Sequence, residues 1–288
     1  MTPLPLDKDR FLIADSIGSR REQEDAAICK IDTETGTAFV VVCDGVGGSR
    51  DGGTASHFVI EFAEKFWRDH GKVLPHPEQD LARFCREAHE GVLATGQQSK
   101  TSARTTLVAL YLNGQRAWWV HSGDSRLYHF RAGKLRARTR DHSVVEVLVE
   151  QGEVAEDEMG GHPDQGRLLQ SIGGSEYKEP TQASDSVTLD DAFLLCTDGF
   201  WERTPETEMA GLLYAPLSGA KERLAEAVQR AAERNGSKGD NLTVAVVLPT
   251  RLAQLGNRRP YLAILVVLLA AELIVMSYYF LGAWLRGH

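Results

Sequence analysis

Four aspartates stand against short apolar segments of β-branched and aromatic residues, which restricts the folds open to this chain. AFVVVCDG (38–45) ends in Asp44-Gly45, and DAFLLCTDG (191–199) ends in Asp198-Gly199. QRAWWVHSGD (115–124) ends in Gly123-Asp124, and Asp240 leads into NLTVAVVLP (241–249). Similar runs over 11–18, 105–112 and 125–138 also read as strands, with Ala132-Gly133 as a hairpin turn. Helical spacing covers 54–71, 77–98 and 217–236. A shorter helix over 143–154 follows Asp141-His142, and His142 reads as a helix-start residue with a proton-relay or substrate role left open. The Gly-, Glu-, Asp- and Pro-rich stretch 152–186 reads as an irregular flap. Strict strand–helix–strand alternation is absent. The expectation is therefore an α+β domain over 1–250, with antiparallel sheets covered by helices.

One Asp-Gly pair is ordinary turn chemistry. Four such aspartates, each fixed by a sheet, are a different matter. Carboxylates converge only around positive charge. Oxygen donors without Cys or His select Mg²⁺ or Mn²⁺. RREQEDAAI (20–28) adds Glu24 and Asp25 before a further strand, with Arg20 and Arg21 just upstream. Acid beside arginine is what a metal and a phosphate together require.

These segments resemble the metal-dependent Ser/Thr protein phosphatases of the PP2C (PPM) family. RREQED is similar to its opening motif and VVCDGVGG to its Asp-Gly-x-Gly-Gly motif. ARTTLVAL with WVHSGDSRLY resembles its central strand pair. TRDHSVVEVLVEQGEV and LLQSIGG resemble the region around its flap, LLCTDGFWE its second Asp-Gly motif, and GDNLTVAVV its closing one. The resemblance spans residues 10–248 in order.

It implies an αββα sandwich around a binuclear Mn²⁺ or Mg²⁺ centre, with a third, weaker site. Asp44 matches the aspartate bridging both ions, and Gly45 the glycine offering its carbonyl. Asp198 and Asp240 match carboxylates on the other ion. Of Glu24 and Asp25, one matches a position near a metal and one a position behind it. Arg20 matches the phosphate-binding arginine. Asp124 matches the third-metal site shared with Asp198, and Asn241 a residue that orients its neighbour. Val46 stands where some members carry histidine, Gln23 where bacterial members often have asparagine, and Arg104 where a small residue is commoner. The implied substrates are phosphorylated Ser/Thr proteins, among them a kinase or its targets. The competing readings are a non-catalytic phosphoprotein scaffold, which has no need of Asp44, Asp198 and Asp240, and a hydrolase of small phosphate esters.

Composition closes off other classes. With 42% hydrophobic and 25% charged residues, the chain is neither disordered nor fibrous. Four cysteines without a CxxC pair make no zinc ribbon, and none has Arg six positions later, as a thiol phosphatase needs. P-loop and GxSxG motifs are absent. Residues 1–250 hold 28 basic and 39 acidic groups, a net of −11, so no nucleic-acid partner is expected. From Tyr261 to Leu285 runs an apolar stretch of 25 residues with one charge, Glu272. It reads as a single transmembrane helix, joined by a basic linker over 251–260. Arg251, Arg258 and Arg259 before it, against Arg286 after it, place the catalytic domain in the cytoplasm at the cell membrane. Glu272, costly in lipid, either faces a partner helix, as in a homodimer, or is simply tolerated in the span; the sequence leaves both open.

Overall fold

Alternation along the strands sets the architecture. In β3 (Thr37–Cys43), Phe39, Val41 and Cys43 point one way, and Ala38, Val40 and Val42 point the other. Both sets are buried, so this strand is covered on both faces. The computed structural model describes residues 6–46, 52–99 and 102–250. These lie in the compact unit formed by residues 1–250.

Two five-stranded antiparallel sheets form the centre. The first is built from β2 (Ala26–Asp32), β3, β6 (Leu107–Leu112), β7 (Arg116–Ser122) and β10 (Thr181–Ser186), in the order β10-β7-β6-β3-β2. The second holds β1 (Phe11–Ser16), β8 (Arg126–Arg131), β9 (Lys134–Arg138), β11 (Asp191–Cys196) and β12 (Leu242–Val247), in the order β1-β12-β11-β8-β9. A short pair, β4 (Gly45–Val46) with β5 (Arg104–Thr105), stands apart.

Three apolar layers follow. Between the sheets, Val40, Val42 and Leu110 meet Leu127, Phe193, Leu195 and Val247. Outside the first sheet, helices α1 (Gly52–Asp69) and α2 (Pro77–Ser99) pack Val59, Phe66 and Phe84 onto Phe39 and Val41. Outside the second, α5 (Glu206–Leu213) and α6 (Ala220–Asn235) pack Met209, Leu224 and Val228 onto Leu194, Val244 and Val246. The αββα sandwich is therefore present.

The flap expectation needs correction. Residues 156–161 form a 3-10 turn, and Thr181–Ser186 forms edge strand β10. Its sequence, TQASDS, lacks an apolar alternation because much of it faces solvent. The helix expected over 143–154 is shorter, α3 (Val144–Glu150), and its N-cap is Ser143, whose Oγ accepts from Glu146 N–H, rather than His142. The short helix α4 (Asp198–Trp201) and α5 had no counterpart in the sequence reading. Ala132 and Gly133 both take positive φ, as a tight hairpin turn requires. Among the described residues no helix is long and apolar enough to cross a membrane. The expected span 261–285 and linker 251–260 lie outside the described residues.

Candidate metal centre

Antiparallel pairing gathers the acids at one end of the sandwich. Register places Cys43, which precedes Asp44, opposite Ala26, which follows Asp25. It places Leu107 opposite Ser122, two residues before Asp124. In the second sheet Cys196 pairs with both Arg126 and Val244. The ends of β3, β7 and β11 and the starts of β2 and β12 thus share one edge. Asp25, Asp44, Asp124, Asp198 and Asp240 project from that edge.

Their backbones are fixed from several sides. Thr106 Oγ1 accepts from Asp44 N–H at 2.9 Å. The Asp44 carbonyl accepts from Thr106 N–H at 2.8 Å and Thr105 Oγ1 at 2.7 Å. Gly45 N–H donates to the Glu24 carbonyl at 3.1 Å, which also accepts from Ser56 Oγ. Asn241 ties the opening segment down: its Oδ1 accepts from Glu24 N–H at 2.8 Å, and its Nδ2 donates to the Ile17 and Glu22 carbonyls at 2.9 and 3.1 Å. Asn241 therefore organises the Glu24 loop, and its own N–H donates to Asp240 Oδ1 at 2.8 Å. Gly199 is needed here because a Cβ would lie 2.2 Å from the Asn241 carbonyl oxygen.

Asp25 is buried and bridges the two sheets. Its Oδ2 accepts from Thr197 Oγ1 at 2.8 Å, and that hydroxyl accepts from Thr243 N–H at 2.9 Å. Arg20 is half-exposed at the rim and pairs with Asp240. Trp201 Nε1 donates to the Asp124 carbonyl at 3.0 Å, while Arg126 stacks 3.4 Å over the Trp201 ring and forms a two-pronged pair with Asp141. Val46 and Arg104, two of the departures from the family pattern, turn out to be cross-strand partners in β4–β5.

The electrostatics are those of a site built for cations. Burial, followed by repulsion from Asp25 and Asp198, holds the Asp44 carboxyl well above its ordinary range. Burial and then Asp198 do the same to Asp124. Burial raises Asp25 despite the Thr197 hydrogen bond. Burial and Asp240 push Asp198 up to about 6, and the Asp44 carboxyl lies close enough to share a hydrogen bond with it. Asp198 Oδ1 is buried with no hydrogen-bond partner. A buried carboxylate oxygen left unpaired is costly, and a divalent cation would relieve both the desolvation and the mutual repulsion. Among the described residues no three or more His, Cys, Asp or Glu side chains close a metal cage by themselves. Mg²⁺ commonly takes one or two carboxylates and keeps several waters. The residues present fit such an ion.

The site residues expected from sequence are brought together here, Arg20, Glu24, Asp25, Asp44, Gly45, Asp124, Asp198 and Asp240 included. Sequence reasoning missed Thr106, Thr197 and Ser125, whose hydroxyls join the acidic loops; Thr106 Oγ1 lies 2.6 Å from Ser125 Oγ. Their only signal was a polar residue at the end of an apolar run. Glu202 was also missed. Burial and then Asp198 push it up to about 8.

Residues 17–239 match the model of a family described as protein phosphatase 2C. The chain belongs to that family and is a protein serine/threonine phosphatase. It is 30% identical over 213 residues to the serine/threonine phosphatase stp of Listeria welshimeri, a match covering 73% of this chain and 83% of the relative. Its fold superposes on the crystal structure of the Mycobacterium tuberculosis serine/threonine phosphatase PstP with a TM-score of 0.71 and 25% identity, over 83% of this chain and 98% of that one. A PstP catalytic domain in complex with two manganese ions gives a TM-score of 0.70 at 24% identity, over 83% and 98% of the two chains.

Proposed function

We propose that this enzyme hydrolyses phosphoserine and phosphothreonine on proteins with a water activated by two Mn²⁺ or Mg²⁺ ions, tethered by 261–285 to the cytoplasmic face of a membrane. The observation that carries the metal reading is the unpartnered buried Oδ1 of Asp198 among four other aspartates. Asp44, the Gly45 carbonyl, Asp198 and Asp240 would hold the ions, with Glu24 beside them and Asp124 at a third, weaker site. Bound there, such ions act as Lewis acids and bring the pKa of a coordinated water toward neutrality.

The chain's own residues do the rest. Arg20 sits at the rim with its guanidinium on Asp240, poised to exchange that partner for phosphoryl oxygens. Its fork neutralises charge that spreads over those oxygens as the ester bond breaks. Asp25 keeps Thr197, and with it the start of the Asp198 loop, in place. Burial pushes all four thiols upward, Cys29 to about 12 and the buried Cys43, Cys85 and Cys196 likewise, so a thiolate nucleophile is not on offer. Water attack on phosphorus needs no covalent phosphoenzyme.

The tether rests on the apolar run 261–285 and the arginines before it. It would confine the enzyme to phosphoproteins near the bilayer, a Ser/Thr kinase or its targets among them, and raise their effective concentration. Glu272 would face a partner copy within the membrane. The activity is tested with the full-length chain on a phosphothreonine peptide, with Mn²⁺, with EDTA, and with Asp198→Ala alongside. Phosphate release should require both the metal and Asp198. Release undiminished by EDTA would overturn the metal reading, and release from small aryl phosphates alone would favour the small-ester alternative.

A further inference from the structure

His142 has no part in the chemistry above, yet it joins three structural regions. Its backbone N–H donates to the Gly123 carbonyl at 2.9 Å, and its Nδ1 accepts from Gly123 N–H at 3.3 Å. Both polar groups of Gly123, the residue before Asp124, are thus held by one side chain and its own backbone. Gly123 has φ +110°, and a Cβ there would lie 2.7 Å from the Thr106 methyl. The loop can therefore neither carry a side chain nor relax toward β3 and β6. On its outer side His142 Nε2 meets Thr181 Oγ1 at 2.8 Å, at the start of β10, and the His142 carbonyl accepts from Leu169 N–H at 2.8 Å, in the flap. The ring stacks on His121 at 4.4 Å, nearly parallel, and His121 Nε2 is 2.7 Å from the Arg140 carbonyl.

This bonding is satisfied by one protonation state. Nδ1 must be bare to accept from Gly123, so the proton sits on Nε2 and is donated to Thr181. Burial, with smaller contributions from His121 and Lys178, pushes the imidazolium down to about 4, so the ring is neutral near pH 7.

We propose that His142 is a positioning residue that clamps Gly123 from both sides and so couples the flap and β10 to the placement of the Asp124 carboxylate. The proposal rests on reading Asp124 as a ligand of a weak metal site. It differs from that reading in what it asks of the flap: a movement of Thr181 reaches Gly123, and with it Asp124, through the imidazole, and a movement of Leu169 reaches it through the His142 backbone. Groups standing behind a metal ligand typically change affinity or activity by about 10–100-fold when removed.

The test uses the full-length chain, with Mn²⁺ binding followed by calorimetry beside steady-state turnover of a phosphothreonine peptide. His142→Phe should weaken the weakest class of Mn²⁺ sites by about tenfold or more, leave the tighter class unchanged, and lower kcat with KM little altered. His142→Asn, whose side-chain oxygen can accept from Gly123, should recover most of the loss. Thr181→Val, which removes only the outer partner and leaves the core intact, should give a smaller shift in the same direction, and it carries the test if His142→Phe fails to fold. Hydrogen exchange at 122–125 should speed up in His142→Phe. Wild-type weak-site affinity in His142→Phe and Thr181→Val, with Asp124→Asn abolishing that site, would overturn the positioning role alone. If Asp124→Asn leaves every Mn²⁺ class intact, the reading of Asp124 fails, and the proposal falls with it.

Discussion

Asp198 shows most directly how stability is set aside for function at a single residue. Its carboxyl is held among like charges with one oxygen unpartnered. Asp198→Asn removes charge at little cost in volume. It should abolish metal-dependent phosphate release while leaving the metal-free melting temperature equal to or above that of the parent. Differential scanning fluorimetry with and without Mn²⁺ checks this, since the parent should gain stability from Mn²⁺ and the variant should not. A ligand at about 100 times its Kd adds about 2.7 kcal/mol. Thr197 illustrates the other kind of residue. Its hydroxyl both donates to Asp25 and accepts from Thr243 N–H. Thr197→Val strands a buried carboxylate oxygen and an N–H, so a loss of about 2 kcal/mol is expected in urea denaturation, with Thr197→Ser restoring most of it.

At the scale of elements, β8 and β11 are fastened at the end remote from the metal site by Asp191. It is buried and accepts from His129 Nε2 at 2.7 Å, Arg131 Nε at 2.8 Å and Thr188 N–H. Burial opposes the charge, but these bonds outweigh it and hold the carboxyl down to about 2. The folded value lies below the unfolded one near 4. The resulting stability is therefore complete above about pH 5 and is lost as pH falls toward 2, amounting to about 2 kcal/mol. Denaturant midpoints between pH 5 and 2.5 should fall more steeply for the parent than for Asp191→Asn. At the other end, α4 abuts β12 so closely that Gly199→Ala drives a methyl into the Asn241 carbonyl. A cost of about 1–3 kcal/mol is expected, with turnover reduced more than stability because Asp198 and Asn241 both shift.

At the scale of the whole molecule, the sandwich works by leaving one edge open. Two sheets packed face to face and covered outside by helices bury apolar residues on both sides of the central strands, while antiparallel turns bring alternate strand ends to the same rim. A chain cut after residue 256 should remain in the soluble fraction and retain peptide phosphatase activity, whereas the full-length chain should resist alkaline extraction from membranes. Loss of membrane association in full-length protein would remove the tether from the proposed function without touching the metal site.

Much of this was legible in the sequence because strand ends and the acids of the candidate site coincide. Asp44, Asp198 and Asp240 each adjoin a short apolar run, so a local pattern marks both the element and the candidate ligand. The short apolar runs VVVC and FLLC implied sheets, and the amphipathic spacing of 54–71, 77–98 and 217–236 implied the helices covering them. What local pattern could not show was which acids meet. That depends on register: Cys43 opposite Ala26, Leu107 opposite Ser122, Cys196 opposite Val244. Strand β10 was hidden because an edge strand needs no apolar face, and α4 because four residues carry no period. Nor could spacing tell that His142 would close on Gly123, 19 residues away, or that Thr197 would reach Asp25 across the sheets. The sequence by itself determined the inventory of acids, the apolar strands and the long amphipathic helices, because propensity and periodicity are local. Only the tertiary structure decided the hydroxyl and imidazole supports behind those acids, because a hydrogen bond between distant residues exists only once packing has brought both partners within about 3 Å.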